Sequence, residues 1–254
     1  MSCIDYSKKE KTEKTMLLKL ADPRGFLDAI SIMSELVTEV KIKVTKTGLS
    51  TVAVDPATVA LVSFKIPASS FTQFEANDDE LCVKLEDLKQ IMKRAEAGST
   101  ITLEKKEGKL AVTIQNEVKR SFTLSLINID EEERGIPNLD KFSSKVEMSS
   151  EMLQKAIDDA SIVSDSCTFI TGDKFIIEAK GDLNTCSAEF DLNRVKFSGA
   201  AKSKYSLEYL QKFIRAGKIS DAVQIQYGND YPARFDFKGL VEMTFVLAPR
   251  SDEE

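Results

Sequence analysis

The sequence predicts an α+β protein built from two tandem copies of one domain. The first observation is an internal repeat, in which "LEDLKQIMKRAEAGSTITLEK" from Leu85 aligns without a gap with "LEYLQKFIRAGKISDAVQIQY" from Leu207. The second is that apolar residues in both segments recur at helical spacing and then give way to a strand-like alternation. The third is the length of 254 residues, which suits two domains of roughly 125 residues each.

Each copy is predicted to contain two helices. The upstream pair is "FLDAISIMSELV" from Phe26 and "LQKAIDDASIVS" from Leu153, whose apolar positions coincide when the two are aligned. The downstream pair lies in the two segments that begin at Leu85 and Leu207. Each copy therefore reads as a strand, a helix, several strands, a second helix and several more strands.

Capping residues predict where these helices begin and end. Asp22 is expected to cap the first helix, with Pro23 in its first turn, and a serine of Ser149–Ser150 is expected to cap the third. Gly98 and Gly217 follow the second and fourth helical patterns and are expected to stop those helices.

The strands are predicted from alternation with period 2, which places apolar residues on one face. Turn segments such as "EKKEGKL" and "YGNDYP" join them as antiparallel hairpins or meanders. Two helices in each copy would then cover the apolar face of an antiparallel sheet. The clearest alternating segments are "VKIKVT", "TITLEKK", "LAVTIQ", "RSFTLSL", "KFIIEA", "AVQIQY" and "RFDF".

Composition argues against an enzyme and against a membrane protein. The chain has no histidine, the commonest general base and metal ligand, and it has no glycine-rich phosphate loop or G-x-S-x-G motif. We therefore predict no catalytic residue, no metal site and no cofactor. No apolar run approaches the roughly 18 residues of a membrane span, and the N-terminus lacks the apolar stretch of a signal peptide. The widely spaced Cys82 and Cys167 predict buried free thiols and a reducing, intracellular compartment.

The predicted helices carry cations on the stripe that faces away from the core. Lys89 and Lys93 lie four residues apart on the second helix, Lys155 lies on the third, and Lys212 and Arg215 lie on the fourth. Two interpretations remain open from these residues alone. The stripe is either an ordinary solvated helix face or a contact with phosphates that reads no base sequence.

Four collinear segments resemble a known family, the archaeal and eukaryotic DNA polymerase sliding clamp, or proliferating cell nuclear antigen. The resemblance covers residues 16 to 250 and is closest to the archaeal type. The D-P-[AS]-x-[VH] turn of the family matches the first segment, and its C-terminal L-A-P-[KR] tail matches the last. The segments are "VTKTGLSTVAVDPATVALVSFKIP", "RSFTLSLINIDEEERGIPNL", "KAIDDASIVSDSCTFI" and "MTFVLAPR".

This resemblance implies a pseudo-sixfold trimeric ring of six similar domains, with helices around the hole and antiparallel sheets outside. The ring would encircle duplex DNA without sequence specificity, so that only its inner wall need be basic. The first helix departs from the family habit of basic residues, because it carries Asp28 and Ser34. The DNA-facing cations implied by position are Lys89, Lys93, Lys155, Lys212 and Arg215.

The resemblance also implies an apolar pocket that binds the clamp-interacting peptide of partner proteins. The connector "NIDEEERGIPNL" would form one wall, with Ile136 held between a glycine and a proline. Arg134 stands where relatives often have an apolar residue, and the acids Asp130–Glu133 favour either basic partner flanks or plain solvation. The pocket residues carried over from the family are Val54, Thr58, Val59, Leu61, Ile136, Pro137, Pro232, Val246, Ala248 and Pro249.

Ring closure is expected between the strand "KRSFTLSL" of one subunit and "DKFIIEAKG" of the next, which would remove two open sheet edges. Arg94 and Arg120 lie near the first strand, and Glu151 and Asp159 lie near the second, so the two surfaces are opposite in charge. A Glu96–Lys155 pair would compete with a DNA role for Lys155. The predicted interface set is Arg94, Arg120, Phe122, Glu151, Asp159, Phe175 and Ile177.

The domain boundaries expected from these patterns are a tail at 1–14, domains at 15–127 and 142–250, a connector at 128–141 and a short tail at 251–254. The expected partners are double-stranded DNA, two further copies of the chain, a DNA polymerase, a clamp loader, a flap endonuclease and a DNA ligase. The expected location is the cytoplasm and nucleoid of an archaeon, or the nucleus of a eukaryote. Two alternatives stay open: a subunit of a heterotrimeric checkpoint or accessory ring, and a carboxylate-dependent enzyme.

Overall fold

A computed structural model describes residues 16–130, 135–190 and 192–251. The predicted N-terminal tail, the acids Glu131–Glu133 with Arg134, and the last three residues lie outside this part of the chain. The helices are α1 (Arg24–Met33), α2 (Leu85–Met92), α3 (Ser150–Ser161) and α4 (Leu207–Phe213), with 3-10 helices at Ala68–Ser70 and Ile214–Lys218.

The strands of the first half are β1 (Met16–Leu20), β2 (Glu39–Thr45), β3 (Gly48–Val54), β4 (Ala60–Pro67), β5 (Gln73–Glu75), β6 (Asp79–Lys84), β7 (Thr100–Lys106), β8 (Lys109–Gln115) and β9 (Lys119–Ser125). The strands of the second half are β10 (Ser144–Ser149), β11 (Ser166–Thr171), β12 (Phe175–Lys180), β13 (Thr185–Phe190), β14 (Lys196–Gly199), β15 (Ala201–Ser206), β16 (Ala222–Tyr227), β17 (Ala233–Lys238) and β18 (Glu242–Leu247). The order of elements is the same in both halves, as the repeat predicts.

The strands form three antiparallel sheets. Their orders are β5-β1-β7-β8-β9, β13-β12-β11-β15 and a nine-stranded β14-β10-β16-β17-β18-β4-β3-β2-β6. The nine-stranded sheet contains one five-stranded unit from the second half and one four-stranded unit from the first, joined where β18 pairs with β4. Each half thus contributes the same two units, which confirms the duplication. The pairing of β18 with β4 also joins the two domains through one continuous sheet.

The helices bury one apolar stripe each, as their spacing predicts. On α1 the stripe includes Phe26, Ile30 and Met33, and the ring of Phe26 packs edge-on against Phe64 of β4 with centroids 6.1 Å apart. Removing each large side chain of this kind from water stabilises the fold by roughly 1.5–3 kcal/mol. In the second domain, Phe169 is fully buried and packs against four neighbouring aromatic rings.

The predicted N-cap of α3 is confirmed, whereas the N-cap of α1 lies one residue beyond the predicted position. The Ser149 hydroxyl accepts a hydrogen bond from the backbone N–H of Met152. The Asp22 carboxylate accepts the N–H of Arg24, although Pro23 occupies the N-cap position. Two further residues, Gly98 and Gly217, were expected to end helices and do not. The first follows α2 by several residues with φ of +80°, and the second lies inside the 3-10 helix that extends α4.

The cysteines in the described part of the chain carry free thiols. Cys167 is buried, and this burial raises the pKa of its thiol, whereas Cys82 is only half-buried. No helix among the described residues is long and apolar enough to cross a membrane.

Candidate functional site

The helices form one connected surface. Helix α1 packs on α2, α3 packs on α4, and the 3-10 helix at Ile214–Lys218 contacts both α1 and α3. The second domain therefore places its last helical turn against the first helix of the first domain. All five cations that were predicted to face DNA lie on α2, α3, α4 or the turns that directly follow them.

Lys89 lies on α2 and Lys93 follows it directly, but the two residues differ in exposure and in the groups that they contact. Lys93 is exposed, and no carboxylate of the described chain forms an ion pair with it. Only 18% of the Lys89 side chain is exposed. Its ammonium donates to the Ser34 hydroxyl at 2.9 Å and approaches Glu86 at 3.3 Å. Hydrogen bonds from Gln90 and Lys89 lower the pKa of Glu86. Lys89 is thus held between two helices.

The remaining three predicted cations each contact a carboxylate. Lys155 pairs with Glu151 at 2.6 Å, one helical turn away. Lys212 pairs with Glu208 at 2.9 Å, and its ammonium also lies 5.1 Å from the centre of the Tyr209 ring. Arg215 pairs with Glu35 across the two domains. The sequence analysis predicted that these cations lie on the helices but did not identify their carboxylate partners.

The first helix adds no free positive charge. Arg24 pairs with Asp22 at 2.5 Å. Asp28 is half-buried, and burial raises the pKa of its carboxyl, while Lys218 and Arg24 act in the opposite direction. The departure of this helix from a basic composition therefore persists in three dimensions.

The predicted peptide pocket is organised by strand register. In the nine-stranded sheet Val54 of β3 lies opposite Leu61 of β4, and Leu61 lies opposite Val246 of β18. Directly opposed residues in a sheet share a face, so these three side chains form one apolar row across the domain boundary. The row ends at Arg234, which lies opposite Val246. Leu61 and Val246 are buried, and Val54 is half-buried.

A capped turn holds the next part of the pocket. The Asp55 carboxylate accepts backbone N–H groups from Ala57 at 3.1 Å, Val59 at 2.8 Å and Ala60 at 2.6 Å. Thr58, in the middle of this turn, has φ of +60°, an uncommon conformation that the cap supports. The turn is thereby fixed against the sheet, with Thr58 exposed and Val59 half-buried.

Asp55 also joins the two domains, a role that sequence reasoning missed. The Tyr209 hydroxyl of α4 donates to Asp55 at 2.7 Å. Burial pushes the pKa of Asp55 upward, but the Tyr209 hydroxyl and three backbone N–H groups outweigh it, so that this pKa lies below its usual value. Burial, together with the same hydrogen bond, raises the pKa of Tyr209 to about 12. The D-P sequence was the available signal, because aspartate often caps a turn.

The tail and the connector border this row. The backbone N–H of Ala248 donates to the Val59 carbonyl at 2.9 Å. Pro249 follows Ala248, Pro232 directly precedes β17, and both prolines are half-buried. An open cleft of about 690 Å³ lies between the turn, including Val54 and Thr58, and the connector residues Ile129 and Gly135. Ile136 is 37% exposed and Pro137 is exposed, and both follow Gly135 directly in the chain.

The predicted subunit strand in the second domain is wrong. Strand β12, which contains Phe175 and Ile177, is hydrogen-bonded to β11 on one side and to β13 on the other. Both side chains are buried, at 0% and 1% exposure, in the core of their own domain. An interior strand offers no edge, so it cannot pair with another chain. Among the described residues the edge strands of this sheet are β13 and β15, and β13 is the one that pairs with β12.

The predicted strand in the first domain does lie at an edge. Strand β9 pairs with β8 only, in the described chain, and its Phe122 is half-buried. Arg120 of the same strand approaches Glu96 at 3.7 Å, and its buried Nε has no hydrogen-bond acceptor among the described residues. Arg94, Glu151 and Asp159 are exposed.

Comparisons with known proteins agree over nearly the whole chain. The family model described as "Proliferating cell nuclear antigen, N-terminal domain" matches residues 17–134, and the model for the C-terminal domain matches residues 135–250. The DNA polymerase sliding clamp of Pyrococcus furiosus is 34% identical over 240 residues, which cover 91% of this chain and 96% of that relative. The corresponding protein of Nanoarchaeum equitans is 29% identical over 250 residues, covering 93% and 100%.

Solved structures show the same fold. The PCNA2-PCNA3 complex of Sulfolobus tokodaii contains a chain that matches with a TM-score of 0.84 and 27% identity, over 92% of this chain and 99% of that one. The proliferating cellular nuclear antigen of Entamoeba histolytica matches with a TM-score of 0.87 over 93% and 99% of the two chains. At 20% identity, the latter likeness concerns the fold alone.

The Asp55 cap predicts a pH-dependent contribution to stability. Because the pKa of Asp55 is lowered in the folded state, its stabilisation is present above the unfolded pKa of about 3.9 and is lost as pH falls through the folded value. We expect Asp55→Asn to lower the free energy of unfolding at pH 7 by about 1–3 kcal/mol. The difference from wild type should shrink below about pH 4.

Urea unfolding at fixed protein concentration, from pH 7 down to pH 3, measures this difference. Asp140→Asn is the matched control, because Asp140 is exposed. A loss of stability that stays constant over the whole pH range would contradict the account.

Proposed function

The chain belongs to the proliferating cell nuclear antigen family, and we propose on this basis that it is a DNA sliding clamp whose ring tethers a replicative polymerase to duplex DNA. The observation that carries this proposal is that both domain models of the family match, in order, over residues 17–250. The connected helical surface supports it, because a surface that crosses the domain boundary suits one continuous inner wall. The protein would act as a scaffold inside the cell rather than as an enzyme.

The pairing of β18 with β4, here called the internal seam, suggests how a ring would close. By topology β9 is the equivalent of β18, and β13 is the equivalent of β4. The two equivalents that lie inside one chain are paired with each other, whereas β9 and β13 each have an open edge in the described structure. We infer that β9 of one subunit pairs with β13 of the next and repeats the β18–β4 geometry. Three such contacts close a ring of six domains.

The register of the internal seam transfers to the proposed one. Phe245 lies opposite Val62 inside the chain, and their equivalents are Phe122 and Cys186. Three residues along, the same register carries Glu242 opposite Lys65, and there the equivalents are Lys119 and Glu189, with the charges exchanged. A chain whose two open edges carry these complementary groups supports a homotrimer.

Residues of the helices and strands beside the internal seam also have equivalents at the proposed subunit contact. Ile32 of α1 and Met243 of β18 are both buried inside the chain. Their equivalents are Asp159 and Arg120, so that two buried apolar residues inside the chain correspond to a potential ion pair between subunits. The buried Arg120 Nε, which lacks an acceptor in the described chain, would gain a carboxylate from the neighbouring subunit. Leaving a buried donor unpaired costs about 1–3 kcal/mol, which ring closure would recover.

A Glu96–Lys155 contact fits this scheme as well. Asp28 and Lys218 interact across the internal seam. Their equivalents are Lys155 and Glu96, again with exchanged charges, and the exposed Glu151 and Arg94 lie close to these in sequence. Lys155 would then serve the subunit contact as much as DNA.

DNA contact would be weak and dispersed. Lys93 is the predicted DNA-facing cation that holds no carboxylate in the described chain, while the exposed Lys155 and Arg215 would exchange a carboxylate for a phosphate. Lys89 and Lys212, with 18% and 26% of their side chains exposed, would contribute less. Exposed ion pairs are worth at most about 1 kcal/mol, so this exchange is cheap. Enclosure by the ring would supply retention, and readily exchanged phosphate contacts would permit sliding.

Partner proteins would dock on the outer face. The row formed by Val54, Leu61 and Val246 is apolar, and the capped turn and connector border it. An aliphatic or aromatic anchor of a partner peptide would cover this row, with Ile136 as the opposite wall. We propose a polymerase, a clamp loader, a flap endonuclease and a DNA ligase as the partners.

Charge reversal at the proposed seam tests the ring. Wild type should have a molar mass near three times 28.2 kDa by light scattering. Arg120→Glu and Asp159→Arg alone should each give about 28.2 kDa at micromolar concentration, because like charges then face each other. The double variant should recover the trimer.

Retention on DNA gives the functional result of the same variants. The wild-type ring should thread onto a linear duplex and stay bound after both ends are blocked with streptavidin, but escape when the ends remain open. The single variants should escape in both cases, and the double variant should be retained. A wild-type mass of 28.2 kDa at every concentration would contradict the homotrimer and favour assembly with different subunits. The Sulfolobus tokodaii structure is a complex of two such different chains, PCNA2 and PCNA3.

Ile136 provides the test of the pocket. We expect Ile136→Asp to weaken binding of a synthetic clamp-interacting peptide at least tenfold, about 1.4 kcal/mol, because a charge would replace an apolar wall. Fluorescence anisotropy measures the dissociation constant. Leu240→Asp is the control, because Leu240 is 81% exposed and lies in the β17–β18 turn. Equal affinity of the Ile136 variant and wild type would remove Ile136 from the pocket.

A further inference from the structure

A groove of about 1030 Å³ runs along the edge strand β15, beneath the end of the described chain. It continues into a second cleft of about 740 Å³, because Lys180, Lys204 and Arg250 line both. The backbone N–H of Arg250 donates to the Lys204 carbonyl at 2.8 Å, and that of Asp230 donates to the Lys202 carbonyl at 3.3 Å. The two walls of the groove are therefore bonded to each other.

The groove is mainly basic, although the whole chain has a net charge of −6. Its cations are Lys180, Lys202, Lys204 and Arg250, and its carboxylates are Glu178 and Asp230. Lys180 and Lys202 are exposed, and neither forms an ion pair with a described carboxylate. Arg250 pairs with Asp165 at 2.7 Å, and this hydrogen bond lowers the pKa of Asp165.

The fold does not require these cations, as the first domain shows. There the backbone N–H of Ile127 donates to the Cys82 carbonyl at 3.0 Å, and this hydrogen bond is the equivalent of the one between Arg250 and Lys204 in the second domain. The positions equivalent to Lys180, Lys202, Lys204 and Arg250 are Val54, Glu80, Cys82 and Ile127. The same backbone frame is therefore stable with no positive charge at any of the four positions.

The groove is continuous with the proposed peptide pocket. Pro249 belongs to the pocket and also lines the groove, and Ala248 before it is bonded to Val59 of the capped turn. The basic surface of the groove therefore adjoins the proposed pocket at Pro249.

We propose that the groove binds an acidic flank of the same partner peptide whose apolar residues fill the pocket. The inference rests on the proposed function, since it needs a peptide in that pocket. Charge complementarity selects an acidic flank at the groove. A peptide is favoured over a nucleic acid because the groove adjoins the proposed peptide pocket through Pro249.

Three synthetic peptides with one clamp-interacting core test the proposal. The first carries three aspartates before the core, the second carries them after it, and the third has glycine and serine on both sides. We expect one acidic peptide to bind the wild-type ring roughly fivefold more tightly than the neutral peptide at low salt, the size that a few exposed charge pairs supply. The advantage should disappear at about 0.5 M salt, where screening is strong.

The variant Lys180→Gln/Lys202→Gln should lose this advantage while binding the neutral peptide as wild type does. Lys65→Gln/Lys238→Gln is the matched control, because both lysines are exposed and lie on β4 and β17 of the nine-stranded sheet. If neither acidic peptide gains affinity while the neutral peptide binds, the groove proposal is overturned and the pocket stands. If the neutral peptide itself fails to bind, the proposed pocket is overturned. A short single-stranded DNA that binds the groove lysines more tightly than the acidic peptide would favour nucleic acid instead.

Discussion

The pairing of β18 with β4 is the contact on which the rest of the architecture depends. It turns one five-stranded and one four-stranded unit into a continuous sheet and removes two open edges. It brings the helices of both domains onto one surface, and it carries the row of Val54, Leu61 and Val246 across the boundary. The duplication leaves the equivalent edges, β9 and β13, without a partner inside the chain. The same contact thus organises the pocket and calls for a neighbouring subunit.

Much of the fold was predictable from periodicity, because both helices and strands of this chain bury one regular face. The error at β12 has the same origin. "KFIIEA" alternates clearly because Phe175 and Ile177 point into a core, whereas the equally long edge strand "TCSAEF" is mixed in polarity. A strong apolar pattern identifies a buried strand and gives no information about which strand lies outermost. Only the full pairing order settles that question.

The sites were predictable in position but not in detail. The cations were found by their spacing, yet pairs such as Arg215–Glu35 join residues that are far apart in sequence, and single-chain patterns do not reveal them. The Asp55–Tyr209 hydrogen bond spans 154 positions. The basic groove along β15 was missed because Lys180, Lys202 and Arg250 come from three separate segments. Each of these contacts becomes visible only when the sheets have brought the segments together.

The central claim is that β9 and β13 of neighbouring subunits repeat the internal seam in register. Disulfide cross-linking of the Phe122→Cys chain tests it most directly, because Cys186 is then the residue placed opposite. The account predicts cross-linked dimers and trimers under mild oxidation, and their absence when Cys186 is replaced by serine. Cross-linking that persists without Cys186, or none at all in a chain that is trimeric by light scattering, would contradict this seam.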